Sequence, residues 1–287
     1  MLRLAINGYG RIGRSILRAL YESALRRDLA IVAINELADA GTVLHLTRYD
    51  STHGRFPTSL EGDAEQLRID GDTVKLLCQP DISHLPWSEL DIDIVLECTG
   101  AFSDRATAEQ HISQGASRVL FSQPARADVD KTVVFGVNHQ QLRPQHQIAS
   151  NASCTTNAIV PVIKALDDAF GIETGTITTI HSAMNDQPVL DAYHHTDLRK
   201  TRAAFGSIIP VDTELARGVE RLLPEMEGRF TAQALRVPTL NVSLLDLTVE
   251  AASDTDVSSV NRVLRDASLS GFQGVLGYTE ELSLIHI

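Results

Sequence analysis

Cysteine is scarce. The 287 residues hold three, Cys78, Cys98 and Cys154, an odd number at wide spacing. That argues against a disulfide framework and against a CxxC metal site, so no metal is expected. A reducing cytoplasm is the simplest setting. Basic residues are also in deficit, Lys+Arg 25 against Asp+Glu 37, for a net charge of −12. Such an acidic chain is a poor candidate for general binding of nucleic acid or of an anionic membrane surface. No apolar run approaches the roughly 18 residues a membrane span requires. Met1-Leu2-Arg3-Leu4 leads straight into an apolar strand without the charged segment, apolar segment and small-residue cleavage site of a secretion signal, so secretion is not expected. Internal repeats and low-complexity tracts are lacking too. What remains is a soluble globular composition, 43% hydrophobic and 22% charged, long enough for one large domain or two ordinary ones.

The first half alternates apolar strands with helical patterns. Leu2–Ile6 reads as a strand, and Ile12, Ile16, Leu17 and Leu20 then recur at helical spacing. Leu29–Ile34 is apolar throughout, as a parallel strand covered on both faces should be. Ile92–Leu96 and Arg118–Phe121 repeat the signal with a helix near 104–115 between them. After about Ser150 the rhythm changes to a helix from Thr155 to Phe170, ended by Gly171, and then long strand-like runs at 176–181, 230–237 and 242–249. The expected fold is α/β: a doubly wound parallel-sheet nucleotide-binding domain over 1–150, and an α+β catalytic domain with a mixed or antiparallel sheet over 151–281. The polar stretch between His181 and Ile209 lacks periodicity, and a loop of that length in a compact domain is usually functional or disordered.

Two local patterns carry chemistry. Gly8-Tyr9-Gly10-Arg11-Ile12-Gly13 is GxGxxG, placed after a strand and opening a helix. The first glycine allows a tight turn, the second a close approach to a pyrophosphate, and the third close packing of helix on strand. The next strand ends in Asn35-Glu36, near the acidic position expected roughly 20 residues on. A carboxylate there suits ribose hydroxyls and disfavours a 2′-phosphate, which points to NAD. A glycine turn in an ordinary βαβ unit fits the same residues. The second pattern is Ser153-Cys154-Thr155-Thr156-Asn157, immediately before a helix. Partial positive charge at a helix start stabilises a thiolate, and a nearby histidine would activate it further. His181, at the end of the run 176–181, is the candidate; buried packing for the cysteine and a hydrogen-bonded role for the histidine stay open. Cys98, after an apolar strand, reads as packing. Downstream, Arg199, Lys200, Arg202, Thr213 and Arg236 would suit a phosphorylated small substrate or a solvated basic face. Arg236 stands out because it lies in the apolar run Ala234-Leu235-Arg236-Val237 and needs a partner.

Ile6–Arg14, Ser150–Asn157 and Arg236-Val237-Pro238-Thr239 resemble the phosphorylating glyceraldehyde-3-phosphate dehydrogenase family, over residues 1 to about 281. The resemblance implies NAD as cofactor, Cys154 as nucleophile and His181 as the base that activates it. It places Gly8, Gly10, Arg11, Ile12 and Gly13 against the pyrophosphate, Glu36 at the adenosine ribose, and Thr99 and Ser122 toward the nicotinamide. Ser153, Thr155, Thr213, Glu214 and Arg236 would line the substrate pocket. Lys200 stands where the family usually has arginine, with Arg199 as a neighbour that could compensate. The implied substrate is a small phosphorylated aldehyde, and the implied assembly a homotetramer.

Within the family, Glu36 and His181-Ser182-Ala183-Met184-Asn185-Asp186-Gln187 look most like the branch that oxidises D-erythrose 4-phosphate in vitamin B6 synthesis. Met184 stands where a phosphate-holding threonine is usual, and a thioether donates no hydrogen bond. The alternatives are phosphorylating oxidation of glyceraldehyde 3-phosphate, a semialdehyde or acyl-phosphate reductase, and a non-catalytic NAD-binding regulator. The family pattern is expected to end at Glu281 and to give way to an atypical tail at 282–287, leaving the catalytic domain incomplete.

Overall fold

The computed structural model describes residues 1–194 and 196–284. Two compact units form, one from residues 1–133 and 141–152, the other from 134–140 and 153 onward. The first unit contains β1 (Leu2–Asn7), α1 (Arg11–Tyr21), β2 (Leu29–Asn35), α2 (Ala40–Arg48), the short antiparallel pair β3 (Tyr49–Asp50) and β4 (Gly54–Arg55), then β5 (Leu60–Gly62), β6 (Gln66–Ile69), β7 (Asp72–Leu77), β8 (Ile94–Glu97), α3 (Arg105–Ser113), β9 (Arg118–Phe121), β10 (Lys131–Thr132) and β11 (Ile148–Ser150).

Nine of these strands make one sheet in the order β10-β11-β9-β8-β1-β2-β7-β6-β5. It is parallel from β10 through β7, while β6 and β5 add an antiparallel edge. Alternate residues of each strand serve opposite faces. Leu4 and Ile6 of β1 pack with Leu17, Leu20 and Val43 from α1 and α2 on one side. Ala5, Ala33 and Val95 pack with Trp87, Ala108 and Phe121 on the other. Burial on both faces explains why these strands read as continuous apolar runs. The chain leaves β1 toward β2 and later returns to place β8 against the opposite side of β1. The reversal opens a crevice at the carboxyl ends of these strands.

The second unit contains α4 (Cys154–Phe170), β12 (Ile172–Ser182), β13 (Ile209–Val211), α5 (Leu215–Leu222), β14 (Phe230–Val237), β15 (Ser243–Ala251) and α6 (Val257–Leu269). Its four-stranded sheet, ordered β13-β14-β12-β15, is mixed: β12 runs parallel to β14 and antiparallel to β15. Gly171 takes φ +68 and stops α4, a conformation that costs glycine little. α4 buries Ile159, Val160, Ile163 and Leu166, and it packs with β12, β15, α5 and α6.

The aperiodic stretch after β12 carries a short 3-10 turn at Leu198–Thr201 and is laced by ion pairs, Lys200 to Asp186 and Arg202 to Asp191 among them. Of the segment 282–287, residues 285–287 lie outside the described residues. Among the described residues no helix is long and apolar enough to cross a membrane.

Candidate active site

At the crevice of the first unit, the turns after four neighbouring parallel strands enclose a cavity of about 360 Å³. Asn7, Gly8 and Gly10 line it after β1, Asn35, Glu36 and Leu37 after β2, Gln79, Pro80 and Ile82 after β7, and Cys98, Thr99 and Phe102 after β8. The glycines behave differently. Gly8 has φ +88, and a Cβ there would lie 2.6 Å from the Thr99 backbone, so this turn and the one after β8 touch main chain to main chain. A Cβ on Gly13 would stand 2.5 Å from the Gly8 carbonyl, which ties the α1 start to the turn. A Cβ on Gly10 would meet nothing within 4 Å. The space over Gly10 is therefore the part of the turn open to a ligand. Gly10 is also the N-cap of α1, and no side chain caps that helix start. First-turn N–H groups lack intrahelical acceptors, so this end suits a phosphate. Arg11 and Ile12 are exposed in that first turn.

Glu36 is fixed at the same end. Its Oε2 accepts from Tyr9 N at 2.7 Å and its Oε1 from Leu37 N at 2.8 Å and Ala38 N at 3.3 Å. A carboxylate held by three backbone donors presents its remaining lone pairs to donors such as ribose hydroxyls. Ser122 follows β9, its hydroxyl donating to Gln123 Oε1 at 2.8 Å.

Beneath the cavity runs a buried polar chain that periodicity did not reveal. Glu97, the last residue of β8, is fully buried. Its Oε2 accepts from Asn7 Nδ2 at 2.6 Å and from His111 Nε2 at 3.3 Å. Its Oε1 accepts from Thr99 N at 2.9 Å and from the Thr99 hydroxyl. Trp87 Nε1–H can only donate, and it does so to His111 Nδ1 at 2.9 Å. The His111 proton therefore sits on Nε2, facing Glu97. From Asn7 the chain continues to Asn35 and on to the Gln79 backbone. The one available signal was an acid at the end of an apolar parallel strand, which must find partners. Cys98 is buried beside this network, and burial pushes its thiol up to about 11, as suits a packing residue.

In the second unit, Ser153 is the N-cap of α4 and accepts from Thr156 N at 3.0 Å; its hydroxyl also pairs with those of Thr155 at 3.1 Å and Thr156 at 2.6 Å. This cap places Cys154 in the first turn, exposed. Cys154 Sγ lies 3.6 Å from His181 Nε2. His181 Nδ1 lies 2.8 Å from the Ser182 carbonyl, which can only accept, so Nδ1 carries a proton and Nε2 is left to take one from the thiol. The hydrogen bond with His181 holds the Cys154 thiol below its usual range, against the opposing effect of partial desolvation of the sulfur. The same contact holds His181 above the ordinary histidine range. Both shifts run in the direction of thiolate and imidazolium.

Arg236 in β14 stands directly opposite His181 in the sheet register, and its side chain is only 12% exposed. Its guanidinium donates to Asp186 and Gln187, and Lys200 donates to the other oxygen of Asp186. Of the two adjacent basic candidates, Lys200 is thus joined to Arg236, while Arg199 is committed to Asp197 and Asp212. Thr213 accepts from Leu215 N at the start of α5, and Glu214 pairs with Arg217 on an exposed face. Met184 is exposed, with its backbone N–H on Gln187. Asp186 is a residue the sequence does not single out, because a carboxylate four residues after a strand end carries no spacing signal.

Two family models match the chain. The glyceraldehyde 3-phosphate dehydrogenase NAD binding domain matches residues 2–105, and the C-terminal domain of the same family matches residues 153–285. The second match passes Glu281, which corrects the expected boundary at 281: the family pattern runs on through four residues assigned to an atypical tail. NAD is the cofactor, in keeping with the open space over Gly10 and the anchored Glu36. The chain belongs to the glyceraldehyde 3-phosphate dehydrogenase family and carries both its NAD-dependent dehydrogenase domains.

Proposed function

We propose that the protein oxidises D-erythrose 4-phosphate to 4-phosphoerythronate through a thioester on Cys154. The observation that carries the chemistry is the Cys154 Sγ to His181 Nε2 contact of 3.6 Å at the start of α4. His181 takes the thiol proton, the thiolate attacks the aldehyde carbon, and His181 returns the proton to the resulting oxyanion to give a hemithioacetal. Covalent capture divides a difficult oxidation into two easier steps. The helix-start backbone N–H of Cys154 is the natural donor to the developing oxyanion. NAD, when bound, accepts the hydride. His181 takes the hydroxyl proton as the thioester carbonyl forms and releases it to solvent; it then takes a proton from water as the water oxygen bonds to that carbonyl carbon, the C–S bond breaks, Cys154 leaves as thiolate and the acid departs. In this reading Arg236, Lys200, Ser153, Thr155, Thr213 and Glu214 serve the substrate, and Gly8, Gly10, Arg11, Ile12, Gly13, Glu36, Thr99 and Ser122 serve the cofactor.

The preference for the longer substrate is supported by Met184, whose side chain offers no hydrogen bond to a phosphate. Arg236 beside His181 fits equally well the phosphorylating oxidation of glyceraldehyde 3-phosphate. Comparing kcat/KM for the two aldehydes, with and without inorganic phosphate, separates the readings. A higher value for D-erythrose 4-phosphate without a phosphate requirement is expected, and the reverse order would overturn the substrate assignment. Cys154→Ala should abolish NAD reduction while NAD still binds; retained turnover would remove Cys154 from the mechanism.

A further inference from the structure

The buried chain under the cofactor cavity holds a charge as well as hydrogen bonds. Glu97, at its centre, is fully buried at the end of β8. Its Oε2 accepts from Asn7 Nδ2 and His111 Nε2, and its Oε1 from the Thr99 N–H and hydroxyl. All four donors are neutral groups. His111 keeps a lone pair on Nδ1, to which the Trp87 N–H donates, so the imidazole brings no positive charge to the contact. The hydrogen bonds disperse the charge of the carboxylate without cancelling it. A charge that water does not reach also acts over a longer range than one that solvent screens.

Position gives that charge a use. Asn7, bonded to Glu97, and Cys98 and Thr99, which follow it in the chain, all line the cavity. Glu36 lines the same cavity after β2, on the other side of β1. In a doubly wound sheet a dinucleotide lies across the switch point, with its adenosine ribose on the acid after the second strand and its pyrophosphate at the first helix. That order directs the nicotinamide half to the β8 side of the crevice, where Glu97 ends its strand. Oxidised nicotinamide carries a positive charge that the reduced ring lacks.

We propose that Glu97 is a specificity-determining residue that makes this cavity prefer oxidised to reduced NAD. The buried anion attracts the ring while it is charged, and that attraction ends once hydride has neutralised it. The carboxylate thus favours retention of the oxidised cofactor and release of the reduced one. The inference rests on the assignment of Glu36 and Thr99 to the cofactor, and not on Cys154 or the choice of sugar phosphate.

The test is calorimetric titration of the full chain with oxidised and with reduced NAD, without substrate. The readout is the ratio of the two dissociation constants. In Glu97→Gln the ratio should move roughly tenfold against the oxidised form. Lost hydrogen bonding alone would weaken both forms alike. Glu36→Gln is the control, a carboxylate on the adenosine side of the same cavity; it should weaken both forms and leave the ratio within about twofold. Glu97→Asp retains the charge and should hold the parent's ratio even where both affinities fall. Asn7→Asp combined with Glu97→Gln keeps one carboxylate and one amide facing each other, and gives a second reading should the single amide variant unfold. It too should hold the parent's ratio. An unchanged ratio in folded Glu97→Gln would overturn the inference, as would an equal shift in Glu36→Gln or a lost preference in the combined variant. Binding is read without substrate, so inactivity toward both aldehydes would refute the proposed function and leave these expected ratios as they are.

Discussion

Glu97→Gln tests the buried chain beneath the cofactor cavity. The carboxylate receives four hydrogen bonds, two on each oxygen, and none of its donors reaches solvent through it. An amide keeps the shape and replaces one acceptor with a donor. Whichever way it turns, its NH2 group faces either Asn7 Nδ2 and His111 Nε2 or the Thr99 N–H and hydroxyl. Asn7 cannot reverse freely, because its Oδ1 already accepts from Asn35. His111 cannot change tautomer without confronting the Trp87 N–H. Toward Asn7 and His111 two buried donors would lose their acceptor; toward Thr99, whose hydroxyl can rotate to accept, only the Thr99 N–H does, so the amide takes that orientation at a loss of about 1–3 kcal/mol. Trp87 is the sole tryptophan, is fully buried in the first unit, and touches His111, so its fluorescence reports this unit's unfolding separately from the second. Urea titration followed at Trp87 should show the midpoint falling by the corresponding amount. NAD affinity should weaken as well, since Asn7 and Thr99 line the cavity. A loss below about 1 kcal/mol, with NAD binding intact, would refute the reasoning about donor conflict.

The glycine turn offers a paired comparison. Gly8→Ala should both destabilise the first unit, by about 1–3 kcal/mol of strain and collision, and abolish NAD binding, whereas Gly10→Ala should leave stability within about 0.5 kcal/mol and weaken NAD binding alone. Equal stability losses would show that the space over Gly10 is not the ligand's. For the thiol, His181→Asn removes the group that depresses Cys154, so the midpoint of its alkylation rate against pH should move upward and the rate at neutral pH should fall. An unshifted profile would show that His181 does not set the thiolate population.

Local chemistry made much of this protein readable from its sequence. Gly8 and Gly13 are dictated by contacts within a few residues of themselves and by one neighbouring turn. Apolar runs such as 29–34 follow from burial on both faces of a parallel sheet. The Ser153 cap and the helix after Cys154 follow from side-chain to backbone bonds three residues apart. Strand pairing is different, because register is set by packing between segments distant in the chain. Only the folded β12–β14 pair puts Arg236 beside His181, and only the return of β8 to β1 brings Glu97 to Asn7. The antiparallel edge β5–β6 and the choice of Lys200 over Arg199 as the partner of Asp186 also required tertiary structure. Periodicity and turn chemistry report each residue's immediate backbone; which charges share a low-dielectric space depends on where distant strands and loops come together.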